Sequence, residues 1–212
     1  MARHPSTRIA ALRVAVWLVA LAVLLILSPS EKTLGDVVKL VYLHGALVRT
    51  GLLAFTVAGA LGLAALVARR DGIARWSEAV GHTALVVWTA YVLSSMVVTY
   101  LAWGVAIAWS EPRVRASAHI FLAAVAFWVL ANLIQDRRAT AALNAVLAPL
   151  AWVLVRSAGV VIHPVDPIGG SASVAIKVFY AGIVLCVILL ATELAVWLAG
   201  RRGDSSPQRG AA

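Results

Sequence analysis

Acidic side chains are scarce in this chain and cysteine is nearly absent, with 9 Asp and Glu and a single Cys among 212 residues. The lone Cys186 lies inside an apolar run, Gly182 to Ala191, which excludes both a disulfide framework and a thiolate metal cluster. No Cys-x-x-Cys-His segment occurs, so the chain does not itself carry covalently attached c-type haem. Serine, histidine and aspartate are present without a nucleophile motif, and no glycine-rich phosphate loop is found, which speaks against a hydrolase or an ATPase. Charged residues make up 13% of the chain, against roughly a quarter in a soluble domain.

What fills the chain instead is hydrocarbon. Hydrophobic residues reach 62% and the mean hydropathy is +0.93, the composition of an integral membrane protein. A net charge of +9 would raise nucleic acid as a partner for a soluble protein. Here the basic residues gather in short loops between apolar runs, where they act as topology determinants, and no nucleic-acid binding is expected.

About 20 helical residues span a bilayer, and six segments meet that length: Ile9–Leu27, Val37–Val67, Val80–Trp103, Ser117–Leu133, Ala141–His163 and Val174–Leu198. Backbone polar groups facing lipid must be satisfied within the segment, and there is no alternation of period two. The expected fold class is therefore all-α, a single polytopic domain over residues 1–202, with a disordered tail at 203–212. The N-terminal run after Arg3, Arg8 and Arg13 resembles a signal sequence. Small-residue cleavage spacing is missing where Ser28-Pro29-Ser30-Glu31 follows, so an uncleaved first span is expected.

One set of loops and termini holds eleven basic residues: Arg3, Arg8, Arg13, Arg69, Arg70, Arg75, Arg137, Arg138, Arg201, Arg202 and Arg209. The other holds four, Lys32, Lys39, Arg113 and Arg115. This bias predicts cytoplasmic termini in a cell membrane and outward-facing loops around residues 28–36, 103–116 and 164–173. His44, near the start of the second span, and His163, at the end of the fifth, then share the outer face.

Ionisable groups inside a membrane segment point to function by default. His44 precedes Gly45, whose missing side chain leaves room for a flat ligand beside the imidazole. His163 precedes the stiff turn Pro164-Val165-Asp166-Pro167, where a ligand role competes with a plain helix cap. Arg156 lies seven residues before His163, about 10 Å deeper on the same stripe, and Arg49 follows His44 off its stripe. Both are candidates for an anionic partner, for which Glu193 lies too near the cytoplasmic end. The loop between the histidines carries Trp103, Trp109, Glu111, Arg113 and Arg115. Its tryptophans double as interfacial anchors, while Arg113 and Arg115 run against the charge bias and suit an anionic ligand or a partner protein. His119 is a second-tier candidate, and His82 and His4 are set aside.

With these residues in order, the chain resembles the CcmC/CcsA (WWD-domain) family of haem-handling cytochrome c biogenesis proteins, closest to its six-span CcmC type, from about Lys39 to Leu198. Tyr42-Leu43-His44 is similar to the family's first-histidine segment, Asp136-Arg137-Arg138 to its basic cytoplasmic turn, and Val161-Ile162-His163 to its second-histidine segment. Trp103-Gly104 and Trp109 match the family's tryptophan-rich loop, in which Ala106 and Ile107 replace the middle tryptophans and Ser110 the aspartate.

The resemblance implies haem b held by His44 and His163 as axial ligands. It implies presentation of the haem edge by the Trp103–Arg113 loop, with Arg49 and Arg156 as candidate propionate contacts. It further implies work beside ATP-binding-cassette transporter subunits and other cytochrome c assembly proteins, and transfer to an extracytoplasmic haem chaperone. That is binding and transfer, not catalysis. A b-type haem electron-transfer subunit and a permease subunit for a small anion stand as alternatives.

Overall fold

A computed structural model describes residues 7–159, 161 and 168–204 of the chain. Six helices account for nearly all of it: α1 (Thr7–Leu27), α2 (Val37–Ala68), α3 (Asp71–Trp103), α4 (Pro112–Ile134), α5 (Arg137–Ser157) and α6 (Val174–Asp204). All six are long and apolar enough to cross a membrane, and no strand occurs among the described residues, only an isolated bridge between Glu31 and Gly35. The protein is an all-α, multi-pass membrane protein.

Helix ends follow local chemistry more than hydropathy. The third helix starts at Asp71 and not at Val80, because its polar first turns pack on α2: Ala74 and Ser77 are buried and Ser77 Oγ donates to the Ala58 carbonyl at 2.9 Å. Pro112 opens α4 ahead of Ser117, at a position whose N–H has no helical acceptor in any case. Asp136 caps α5 by accepting from Arg138 N, which starts that helix before Ala141. At its other end α5 stops at Ser157, where Ala158 turns extended, so the fifth span does not run on as helix to His163. The last helix continues through Gly203 and Asp204, residues expected in the tail. Residues 205–212 of that tail lie outside the described residues.

The second helix is the hub. Its small residues let neighbouring helices approach closely, the usual basis of helix association in lipid. A Cβ on Gly51 would meet the Trp88 ring at 2.8 Å, one on Gly59 would meet the Ala148 methyl at 2.5 Å, and one on Gly62 would run into the Ala141 carbonyl. One core forms around Leu52, Phe55, Trp88, Tyr91, Ile120 and Ala151, joining α2 to α3, α4 and α5. A second forms around Tyr42, Ala46, Ile168, Tyr180 and Ile183, joining α2 to α6. The first helix packs chiefly on α6, with Leu24 over Gly182 and Arg13 paired to Glu193 at 3.0 Å. Glu193 is thereby engaged by α1.

Candidate functional site

Between the two cores, at the end of the bundle where α2 begins, lies a cleft of about 290 Å³. His44, Arg49 and Arg113 line it together with Tyr91, Ser117 and Tyr180, and Val41, Val48, Leu52, Val155 and Ile168 supply apolar walls. The arrangement is an imidazole and two guanidiniums around a hydrocarbon slot. Three of the residues singled out from sequence thus meet in one place.

His44 is held from behind. Its ring packs on Tyr91 with centroids 4.8 Å apart and planes at 37°, and its Nδ1 faces Ser94 Oγ at 3.4 Å. Tyr91 is itself fixed. Ser117 Oγ donates to the Arg113 carbonyl at 2.8 Å, which leaves its lone pairs to accept the Tyr91 hydroxyl at 2.7 Å. Trp88 Nε1 donates to the Ser117 carbonyl at 3.2 Å. One polar chain therefore links the histidine on α2, through α3, to the turn of α4 that carries Arg113.

Arg49 places its guanidinium 5.0 Å from the centre of the Tyr180 ring, a cation–π contact that holds the charge at the lip of the cleft. Among the described residues neither Arg49 nor Arg113 forms an ion pair, so the cleft carries positive charge that an anionic ligand would neutralise. No group of three His, Cys, Asp or Glu side chains that could hold a bare metal ion occurs among the described residues. A single imidazole is instead suited to an axial position on a metal that brings its other ligands with it.

Gly45 has a packing role besides the one its neighbour suggests. A Cβ there would meet Tyr180 Oη at 2.9 Å, so the glycine, which also lines the cleft, makes room for the phenol of α6. Arg156 is not brought to the cleft. Since α5 ends at Ser157, this arginine sits at the helix end, where it is exposed and lies 5.4 Å over the Trp152 ring, its charge reaching outward as long cationic side chains do. His163, the second expected ligand, lies outside the described residues.

The tryptophan loop does not line the cleft. Trp103 is the last residue of α3, and Gly104, at φ 75°, stops the helix with its N–H on the Tyr100 carbonyl. Trp109 covers a separate apolar pocket of about 80 Å³ between α3 and α4, together with Ala106, Ile107 and Met96. Tyr91 and Ser117 form the shared wall between that pocket and the cleft. Glu111, at the start of α4, is completely buried, and its carboxylate accepts the Val161 N–H at 3.2 Å. It ties the tryptophan loop to the segment that follows α5.

The other histidines stand apart. His119 is exposed and does not line the cleft. His82 accepts from Trp128 Nε1 at 2.8 Å through Nε2, so its Nδ1–H donates to the Glu78 carbonyl, also at 2.8 Å. Tyr91, Ser94, Ser117 and Tyr180 escaped the sequence reading, although Ser94 and Ser117 are polar groups within apolar runs, the pattern that would have found them.

On the same side of the bundle the loop before α2 is folded on itself. Backbone N–H groups of Leu34 and Thr33 hold the Glu31 carboxyl below its ordinary range. The Ser30 hydroxyl and Lys39 do the same for Asp36. Tyr42, packed on Tyr180, donates to the Pro29 carbonyl at 3.2 Å and so joins this loop to the second core. No protein-family model matches the chain, and no curated protein matches it.

Proposed function

We propose that this protein handles haem b for cytochrome c maturation, binding it at the His44 end of the bundle and releasing it to an acceptor. The observation that carries the proposal is the gathering of His44, Arg49 and Arg113 on one apolar-walled cleft. The donor set suits haem: an imidazole for the iron, two cations for the carboxylates, and valine, leucine and aromatic walls for the macrocycle. When bound, the iron supplies an axial coordination site and no other chemistry is needed for handling. His44 would ligate from α2, Arg49 and Arg113 would pair with the propionates, and His163 is the proposed second ligand.

A cleft of about 290 Å³ is at the lower end for ligand pockets, roughly 300–1,000 Å³. A macrocycle seated there keeps part of itself outside the cleft. This suits delivery to an extracytoplasmic haem chaperone better than permanent storage. The loop charges support cytoplasmic termini and an outward-facing cleft in the cell membrane. In that setting ATP-binding-cassette subunits and other assembly proteins are the proposed partners.

The test is spectroscopic. Protein purified in the presence of haem is expected to show a Soret band that His44→Ala and His163→Ala each shift or abolish. A Soret band indifferent to both substitutions would remove the axial assignment. The small volume favours one second reading, a permease subunit for a small anion held by Arg49 and Arg113, and haem-free protein recovered under haem-replete conditions would favour it. A b-type electron carrier with a further haem at the opposite end gains no support from His82, since Trp128 and the Glu78 carbonyl engage its two nitrogens.

A further inference from the structure

On the opposite face of α2 from the cleft lies a larger space, a groove of about 380 Å³ between α2, α3 and α6. Thr50, Leu53, Val57 and Leu61 line it from α2, Ile188, Ala191 and Ala195 from α6, and Trp76 and Val80 from α3. Each set follows the spacing of a single helix stripe, so three faces of packing residues look onto space instead of onto one another. Leu53, Val57 and Trp76 are exposed, which opens the groove to the surrounding lipid. Its lining is almost entirely hydrocarbon: Thr83 and Thr192 spend their hydroxyls on the Ala79 and Ile188 carbonyls, and the Thr50 hydroxyl is buried.

The groove has a length and a direction. From Thr50 to Leu61 is about 16 Å along α2, half of a hydrocarbon core about 30 Å thick. A partner helix crossing the bilayer would need a face along all of it, whereas an acyl chain occupies one leaflet. The groove runs toward the end of the bundle where α2 stops and α3 starts, and that end is basic, with Arg69, Arg70, Arg75 and Arg201 beside Asp71. Arg75 precedes Trp76, and Arg201 lies one helical turn beyond Val196, both of which line the groove. Among the described residues neither arginine forms an ion pair. The Arg75 Nε is buried and has no hydrogen-bond partner among them, and Arg201 is held 4.2 Å over the Trp197 ring.

We propose that the groove binds an anionic phospholipid from the leaflet beside the α2–α3 turn. One acyl chain lies between α2, α3 and α6, and the phosphate meets Arg75 and Arg201. The chain supplies the dispersion contacts that the facing walls otherwise forfeit, and basic pockets between membrane helices take anionic headgroups. The lipid thereby completes the packing of α6, which carries Tyr180 into the cleft, against the hub helix. This site stands apart from the haem-handling reading and does not depend on it.

The full chain in detergent is titrated with dioleoyl phosphatidylglycerol and, separately, with dioleoyl phosphatidylcholine, and the bound lipids are resolved by native mass spectrometry. Wild-type protein is expected to take up phosphatidylglycerol saturably at one site. Its affinity there should exceed that for phosphatidylcholine by about fivefold or more, the effect of one engaged arginine near a membrane surface. Ala191→Phe, which places a ring in the groove, should abolish the site. Arg75→Gln combined with Arg201→Gln should leave lipid binding in place but remove the preference for the anionic headgroup. Equal affinity of the wild type for the two lipids overturns the proposal, as does a preference that survives the loss of both arginines. So does a saturable phosphatidylglycerol site that survives Ala191→Phe. A dimer of this chain that excludes lipid and that Ala191→Phe dissolves assigns the groove to a second copy, and overturns it too. Should Ala191→Phe fail to fold, the headgroup comparison and the arginine pair decide the matter by themselves.

Discussion

The two histidines nearest the ends of the bundle core, His44 and His82, are chemically identical and structurally opposite. His44 borders a cleft of about 290 Å³ beside two arginines, while His82 lines a space of about 30 Å³ with Phe55, Phe127, Trp128 and Asn144 around it. One imidazole borders a cleft and has positive neighbours. The other is enclosed, bonded to Trp128 and to the Glu78 carbonyl, with Asn144 nearby bonded to Ser77 Oγ at 3.1 Å. An intramembrane histidine is therefore informative only with its surroundings: His82 ties α3 to α4 beside an Asn144–Ser77 bond that ties α3 to α5, whereas the contacts of His44 hold a side chain that borders a cleft.

The sharpest way to break this contrast is to delete each ring. His44→Ala is expected to weaken protoporphyrin binding by more than the roughly 10–100-fold typical of losing a partner of a ligand. His82→Ala should leave the Soret titration intact and cost stability instead, about 1–3 kcal/mol for the indole N–H and the Glu78 carbonyl left without their present partner. Equal effects of the two substitutions on haem binding would erase the distinction between site and scaffold.

The same division can be tested on glycines. Gly62→Ala places a methyl against the Ala141 backbone carbonyl, which cannot swing away, so α2 and α5 must separate and a loss of about 1–3 kcal/mol is expected. Gly45→Ala meets the tip of a side chain, the Tyr180 phenol, which can rotate toward the cleft. Its expected cost is smaller, and it should narrow the cleft and loosen the Arg49 contact with the Tyr180 ring. Denaturation midpoints for the pair, read beside ligand titrations, check both halves of the statement.

Charge gives a smaller effect. Arg49→Gln and Arg113→Gln should each weaken protoporphyrin binding by about tenfold, the equivalent of a charge-assisted hydrogen bond worth around 1.4 kcal/mol. Arg156→Gln should not, because that guanidinium lies over Trp152 and away from the cleft. If Arg156→Gln proves as damaging as the other two, the cleft is not where the anion binds.

That last pair also marks how far sequence reasoning reached. Six apolar runs and their loop charges are enough to predict an all-α membrane bundle, since hydrocarbon leaves the backbone few options. His44, Arg49 and Arg113 stand out as ionisable groups in or beside apolar segments, and they share the cleft. Arg156 was misplaced in depth because nothing in Val155-Arg156-Ser157-Ala158 announces the end of α5, a boundary that hydropathy carries straight through to His163. Tyr91, Ser94 and Ser117 were missed because their importance lies in a three-helix hydrogen-bond chain, and such contacts have no sequence period. Gly45 was noticed for only one of its neighbours, since packing alone reveals that α6 also delivers Tyr180 there.

The smallest expected effect lies in the loop before α2, and it separates the two ends by pH. Glu31 and Asp36 have folded pKa values lowered by hydrogen bonds, to Leu34 and Thr33 N–H in one case and to Ser30 and Lys39 in the other. A carboxyl depressed on folding stabilises the folded loop above its unfolded pKa, and that contribution is lost as the pH falls through the lower, folded value. Acidification below about pH 4 should therefore loosen residues 30–36 first, seen as faster amide exchange at Thr33 and Leu34, while an uncharged contact at the opposite end such as Ser77 to Ala58 holds. Glu31→Gln should bring part of that loosening to neutral pH, because the amide keeps an acceptor oxygen but loses the charge that strengthens both bonds. Since Tyr42 connects the loop to Tyr180, and Tyr180 carries the Arg49 contact, the cleft should feel this change as a modest drop in anion affinity. His82 and its neighbours should feel none.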